Sequence, residues 1–372
     1  MKKISHYFLR RILKLQENLR NMELEGALIT SIDNIFYFSG HLISDGYGPS
    51  LLFIPKLGEP ILVIPESELY LTSTKMFPGE VFFFNEQYQY LNSLLSAANI
   101  FNNRYSRKIK FPLGIELDFI PYGILEILGI ESNKQYKNIT ADIYDMRGIK
   151  DQLEIELIKN SVKISLIGQK IARNSFCEGI NEITLKSFCQ QAMETEAGNP
   201  IFCKSDVLFG KKTALIGSPE GVAGNYIAKK GDIAIIDLLP RVNGYYGDVT
   251  RVLFLKPLIN KKKILIQLLL NVKKEIEKVI KSGVEAEAID YIARSRLSKE
   301  GLFPHHTGHG IGISSFELPL IIPKSNNVLK EGMIIAIEPG IYFDNWGARI
   351  EDDYLITKDG FEKLSDSLEE IE

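Results

Sequence analysis

The chain has 372 residues, 45% of them hydrophobic and 24% charged, with a formal net charge of −3. That length exceeds one ordinary core, so two domains of the soluble globular class are expected. The near-neutral balance gives no electrostatic reason to bind nucleic acid or an anionic membrane, and no apolar run approaches the roughly 20 residues of a membrane span.

Basic residues stand at the N-terminus, Met1-Lys-Lys-Ile-Ser-His-Tyr-Phe-Leu-Arg-Arg11. An uninterrupted apolar segment and a small-residue cleavage site are missing, which argues against a signal peptide. Lys3 to Asn21 is expected as an amphipathic helix. Gly26–Thr30 and Ile35–Phe38 read as short strands, the second ended by Gly40. Leu51–Ile54 and Ile61–Ile64 read as a hairpin through Pro55-Lys-Leu-Gly-Glu-Pro60. Val81–Phe84 and Ile109–Leu117 add strands, and a helix follows Pro121. Together they predict a small α/β domain, residues 1–146.

The junction Met146-Arg147-Gly-Ile-Lys150 leads into a second domain, 147–372. From Asp151 to Phe176 the apolar positions Ile155, Ile158, Val162 and Leu166 recur at helical spacing. Further helices are expected over Glu182–Glu196, Lys261–Ile280 and Glu285–Lys299. The lysines of Lys261–Lys281 read as a solvated face. Strands are expected over Asp232–Leu238, Tyr246–Leu255, Met333–Ile337 and Ala348–Thr357. Helices followed by antiparallel strands indicate an α+β fold. The helix–helix–hairpin order of 151–255 is loosely echoed by helix–helix–strand pairs in 261–357, as in an internal duplication. Cys177, Cys189 and Cys203 match no zinc spacing and build no disulfide framework, so they read as reduced thiols of a cytoplasmic protein.

The second domain carries the residues for chemistry. Asp237 and Asp248 flank Asn243-Gly244, a hairpin-turn dipeptide, which brings the two carboxylates together on facing strands. Asp237 ends the apolar run Ile233-Ala-Ile-Ile236, and Glu338 ends Ile334-Ile-Ala-Ile337; a charge carried on a buried strand needs a partner. His309 lies between glycines in Thr307-Gly-His-Gly-Ile-Gly312. Arg349 and Glu351 are two apart, so strand alternation puts them on one face. Singly, these residues also fit surface aspartates, a loop histidine and a plain salt bridge. Together, four carboxylates and one imidazole form an oxygen-rich set suited to a pair of divalent ions.

These frames resemble those of the pita-bread metallopeptidases: Xaa-Pro aminopeptidases, Xaa-Pro dipeptidases (prolidases) and methionine aminopeptidases. Arg147-Gly-Ile-Lys-Asp-Gln-Leu-Glu-Ile-Glu156 resembles the opening helix of that catalytic domain. Ser282-Gly-Val-Glu-Ala-Glu-Ala-Ile-Asp290 resembles the start of its mid-domain helix. Gly26 to Gly40 is similar to the opening of the creatinase-type N-terminal domain, which methionine aminopeptidases lack, so the Xaa-Pro branch is favoured. The resemblance implies a creatinase-like domain followed by a pita-bread catalytic domain, acting on small peptides as a homodimer. Asp237 would bind one ion, Asp248 and Glu351 would bridge both, and His309 and Glu338 would bind the other. The ions would be Mn2+, with Co2+ or Zn2+ as alternatives. A water or hydroxide between them would attack, Glu338 would relay its proton, Arg349 would hold the carboxylates, and Thr250 would support Asp248. In the homodimer, His41 would reach across to the other subunit's site.

The chain departs from that pattern where the family places two further histidines near the substrate. Glu220 stands at one place, in Ser218-Pro219-Glu220-Gly221, and Phe316 at the other, in Phe316-Glu317-Leu-Pro319. A third family histidine, four before the ligand, is matched by His305, which the resemblance implies as a catalytic and substrate-binding group. Phe316 cannot donate a hydrogen bond, and Glu220 is anionic and suited to a substrate ammonium. The leading expectation is a dinuclear-metal hydrolase cleaving the amino-acid–proline bond of dipeptides or the N-terminal residue of Xaa-Pro peptides. The alternatives are hydrolysis of a different C–N bond, or a non-catalytic binding protein on the same fold.

Overall fold

The structure is a computed structural model that describes residues 2–42, 50–69, 75–84, 98–99, 102–103, 110–131, 134–215 and 221–365. The chain divides into two compact units, Met1–Arg147 and Gly148–Glu372.

The first unit comprises α1 (Lys2–Asn21), β1 (Gly26–Ile29), α2 (Ile32–Ser39), β2 (Leu51–Pro55), β3 (Ile61–Pro65), β4 (Glu80–Phe84), β5 (Leu113–Ile115), α3 (Tyr122–Ile127), β6 (Tyr136–Asn138) and α4 (Thr140–Gly148). Its sheet runs β4-β3-β2-β1-β5-β6 and mixes parallel with antiparallel pairs. The predicted hairpin is present, with Leu51 opposite Val63. Ile35–Phe38, expected as a strand, is instead the middle of α2, closed by Gly40 in the left-handed region at φ 71°. Residues Asn34 to Ser39 are all buried, and a run buried all round carries no period to separate helix from strand. His41 does not reach outward: it is wholly buried, and its ring nitrogen meets the Glu68 carboxylate of its own unit.

The second unit opens with α5 (Gln152–Ser175) and α6 (Glu182–Ala197). A reciprocal capping box starts α5: the Glu154 amide donates to Asp151 at 3.0 Å, and the Asp151 amide to Glu154 at 3.1 Å. Then come β7 (Phe202–Phe209), β8 (Ile233–Val242), β9 (Tyr245–Tyr246) and β10 (Val249–Phe254), in a sheet ordered β10-β8-β7 with β9 on β8. After α7 (Asn260–Glu277) and α8 (Ala286–Leu297) follow β11 (Gly308–Gly310), β12 (Glu317–Ile321), β13 (Ile334–Ile337), β14 (Gly340–Phe343), β15 (Trp346–Arg349), β16 (Asp352–Ile356) and β17 (Phe361–Lys363). These form a sheet ordered β12-β11-β13-β16-β17 and a separate β14-β15 pair. Every ladder of the unit among the described residues is antiparallel, so each half is a helix pair against an antiparallel sheet.

Strand alternation decides which residues face the helices. On β8, Ala234, Ile236 and Leu238 pack with Ile164, Leu185 and Met193 of α5 and α6. Asp237, one residue out of phase, turns to the other face. On β13, Ile335 and Ile337 pack with Leu269 of α7 and Ile289 of α8, and Glu338 follows out of phase.

Two expected strands are broken. Tyr246–Leu255 is interrupted at Gly247-Asp248, where a side chain on Gly247 would come within 2.4 Å of the Val162 amide on α5. Ala348–Thr357 is two strands in different sheets, parted at Ile350-Glu351. Asp248 and Glu351 therefore sit where backbone leaves a ladder. The lysine-rich helix face also needs correction. Lys273 on α7 is 1% exposed and reaches the Asp352 carboxylate, which Arg251 also contacts at 2.8 Å.

Candidate metal centre

Between the two halves of the second unit lies a cavity of about 340 Å³, lined by Lys204, Asp206, Asp237, Leu239, Asp248, His305, His306, His309, Phe316, Glu338, Arg349 and Glu351. The five residues read as ligands all border it and are all buried. Glu220 lies outside the described residues.

His309 is placed by its glycines. A side chain on Gly308 would sit 2.2 Å from the Ala336 carbonyl, and one on Gly310 equally close to that of Leu318, so β11 slots between β13 and β12 only without them. The His309 Nδ1–H donates to the Gly310 carbonyl at 2.9 Å, which leaves the Nε2 lone pair to the cavity. That Nε2 lies 3.3 Å from Glu338, 3.8 Å from Asp248 and 4.0 Å from Glu351. Donor atoms of Asp248, His309 and Glu351 fall within 4.8 Å of one another, as do those of His306, His309 and Glu338.

Arg349 gathers the remaining acids. Its guanidinium contacts Asp237, and lies 3.8 Å from Asp206 and 3.9 Å from Glu338. Thr250, expected to support Asp248, donates its hydroxyl to Glu351 at 2.7 Å instead. The cause is the isolated bridge that pairs Thr250 with Glu351 across the strand break. Asp248 is held by its backbone, whose amide donates to Asp353 at 2.9 Å.

The electrostatics describe a place for positive charge. Burial, with neighbouring carboxylates adding to it, pushes Asp248 far above the usual range. Burial does the same to Asp237, with Arg349 opposing it. Glu351 is pushed up to about 7 by burial and by Glu338. Among the five expected ligands, four buried atoms lack any hydrogen-bond partner: Asp237 Oδ1, Asp248 Oδ1, His309 Nε2 and Glu351 Oε1. Buried polar atoms without partners are costly, and a shared divalent ion satisfies oxygen and nitrogen lone pairs together. The residues present therefore fit divalent cations.

His305 stands in the wall with both nitrogens engaged. Nδ1–H donates to the His306 carbonyl at 2.7 Å, and Nε2 accepts from the Tyr342 hydroxyl at 2.9 Å. Burial lowers its pKa to about 4, so it is neutral there. Phe316 lays its ring on His309, centroids 4.3 Å apart. Two further residues at the cavity were not singled out by sequence. His306 was hidden beside His305, although the His305-His306 doublet so near His309 is a usable signal. Asp206 lies on β7, opposite Asp237, and that strand shows no clear alternation.

Comparison with known proteins follows the same lines. Residues 156–358 match metallopeptidase family M24, and residues 11–149 match the creatinase/prolidase N-terminal domain. The chain is 30% identical over 372 residues to the Xaa-Pro dipeptidase of Pyrococcus horikoshii, covering 97% of this chain and 98% of that one. Its structure is similar to that of the prolidase from Pyrococcus horikoshii OT3, with a TM-score of 0.82, 28% identity, and 97% and 99% of the two chains covered. An Xaa-Pro dipeptidase from Bacillus anthracis has the same fold, with a TM-score of 0.85 at 22% identity over 98% and 99% of the chains.

Proposed function

The chain belongs to metallopeptidase family M24, and on that premise we propose that it is a dinuclear-metal hydrolase cleaving the amino-acid–proline bond of dipeptides or the N-terminal residue of Xaa-Pro peptides. The observation that carries this reading is the convergence of Asp237, Asp248, His309, Glu338 and Glu351 on one cavity, with four of their buried atoms unpartnered. Asp237 would hold one ion, Asp248 and Glu351 both, and His309 with Glu338 the other. Divalent ions held there supply Lewis acidity and a hydroxide nucleophile at neutral pH. Mn2+ is the expected ion, with Co2+ or Zn2+ as alternatives.

The protein's own groups do the rest. Glu338 keeps its carboxylate charged: burial opposes this, but the neighbouring imidazoles hold its pKa well below the usual range. It would take a proton from the attacking water and return it to the leaving amine. Arg349 orients Asp237 and Glu338, and His305 braces Tyr342. The substrate side differs from the family pattern, because Phe316 offers an apolar face where a donor is expected and Glu220 replaces the other imidazole. This favours a second reading, hydrolysis of a different C–N bond. The homodimer and the cytoplasmic location belong to the same proposal. Cys177, Cys189 and Cys203 are all free thiols, which supports a reducing compartment.

Metal analysis of the purified protein, then assays of Xaa-Pro, Met-Xaa and amidino or cyclic C–N substrates with added Mn2+, tests the proposal. Two ions per chain with Xaa-Pro cleavage supports it. Bound metal with turnover only of another substrate selects the second reading, and bound metal without turnover makes the chain a binding protein. Phe316→His restores a donor, and Xaa-Pro turnover is expected to rise toward the ~10²-fold that one such donor contributes.

A further inference from the structure

We propose that His306 is an additional ligand of the ion held by His309 and Glu338, giving that ion a second nitrogen donor and shifting its preference toward Zn2+ or Co2+ over Mn2+. This deepens the function proposed above and rests on its binuclear centre.

Three observations carry it. First, His306 Nε2 lies 2.6 Å from Glu338 Oε1, while His309 Nε2 lies 3.3 Å from the same oxygen. Two donors each about 2.1 Å from one ion stand roughly 3.0 Å apart at a right angle and roughly 3.4 Å apart at a tetrahedral one. The His309–Glu338 separation matches an edge of such a polyhedron, the His306–Glu338 pair is tighter, and donor atoms of all three residues fall within 4.8 Å of one another. Second, both Nε2 atoms are buried and neither has a hydrogen-bond partner. The His306 nitrogen and the Glu338 oxygen lie 2.6 Å apart, too close for bare lone pairs, and a cation shared by the two would satisfy both. Third, the ring is held in place. Phe316 meets it edge-on at 5.3 Å, and His309 does so at 5.2 Å. Phe316, which removes a donor from the substrate side, thus also walls the second imidazole against Glu338.

The chemical consequence follows from the donor set. Imidazole nitrogen suits Zn2+ and Co2+, whereas carboxylate and water oxygen suit Mn2+. A second imidazole beside Glu338 and the shared Asp248 and Glu351 shifts that ion's site toward the first pair.

The test titrates metal-free wild type, His306→Ala and His306→Asn with Zn2+ and Mn2+ against a chromophoric chelator, and records the visible absorption of the Co2+ forms. Removing the imidazole is expected to weaken Zn2+ at one of two sites by about 10–100-fold, with a much smaller change for Mn2+, and to alter the Co2+ bands. Two tightly bound ions with unchanged Zn2+ affinity and Co2+ spectrum in both variants would overturn the role of His306 alone. A wild type that takes up no ion would overturn the underlying centre. Thermal melts in chelator identify a variant that has lost its fold, and His306→Asn then supplies the measurement.

Discussion

Thr250 shows how one hydroxyl orders several charges. It donates to Glu351 at 2.7 Å and accepts from the Arg349 Nε–H at 3.4 Å. The expected bridging carboxylate is thereby fixed in orientation while Arg349 is drawn toward Asp237. Partners of this kind usually change metal affinity by about 10–100-fold when removed. Thr250→Val keeps the shape and deletes the donor. We expect it to weaken divalent-cation binding within that range, read by metal titration, and to lower the melting temperature of the metal-free protein by a few degrees, because the buried Glu351 loses its donor. His305 makes the opposite point. Its place in the motif suggested a substrate-facing group, yet its two nitrogens are used inside the protein.

At the scale of elements, β16 ties the two halves together through Asp352. That carboxylate contacts Arg251 on β10, Lys273 on α7, Lys363 on β17 and the Ser365 hydroxyl. Removing it leaves Arg251 and Lys273 buried without their shared counter-charge. Breaking a buried pair in this way costs about 3–5 kcal/mol. Asp352→Ala should therefore lower the melting temperature by on the order of 10 °C. The capping box of α5 gives a useful contrast. Asp151→Ala removes one partly exposed cap, worth about 1 kcal/mol, and should shift the melting temperature by only a few degrees.

Across the whole catalytic unit, burial of like charges sets a pH dependence. Glu351, raised by burial and Glu338, and Asp353, raised by burial, both titrate near 7 in the folded chain, against ordinary values of 4.5 and 3.8. Each binds its proton more tightly folded than unfolded. The stability they contribute is complete below the ordinary values and is lost as pH rises through about 7. In chelator, the melting temperature should fall between about pH 4.5 and pH 7.5 from this source. A divalent cation replaces the protons, so cation affinity should rise over the same window and binding should release protons. Calorimetric melts and titrations in buffers of different ionisation enthalpy check both. A cation affinity that stays flat across the window would contradict the account.

Much of this was legible in the amino-acid order because it is local. The helical spacing of α5, the turn at Asn243-Gly244 and the charges ending the apolar runs before Asp237 and Glu338 each depend on neighbours a few residues away. The family frames likewise put the five acidic and imidazole groups together as a set. Tertiary packing decided what local pattern could not carry. It made Ile35–Phe38 a helix, because burial on every side erases the period. It broke the strands at Asp248 and Glu351, because Gly247 must press against α5 and the chain must change sheets after Arg349. It turned His305 inward and His306 toward Glu338, since which of two adjacent imidazoles meets a carboxylate depends on strands far apart in the chain converging on the same space.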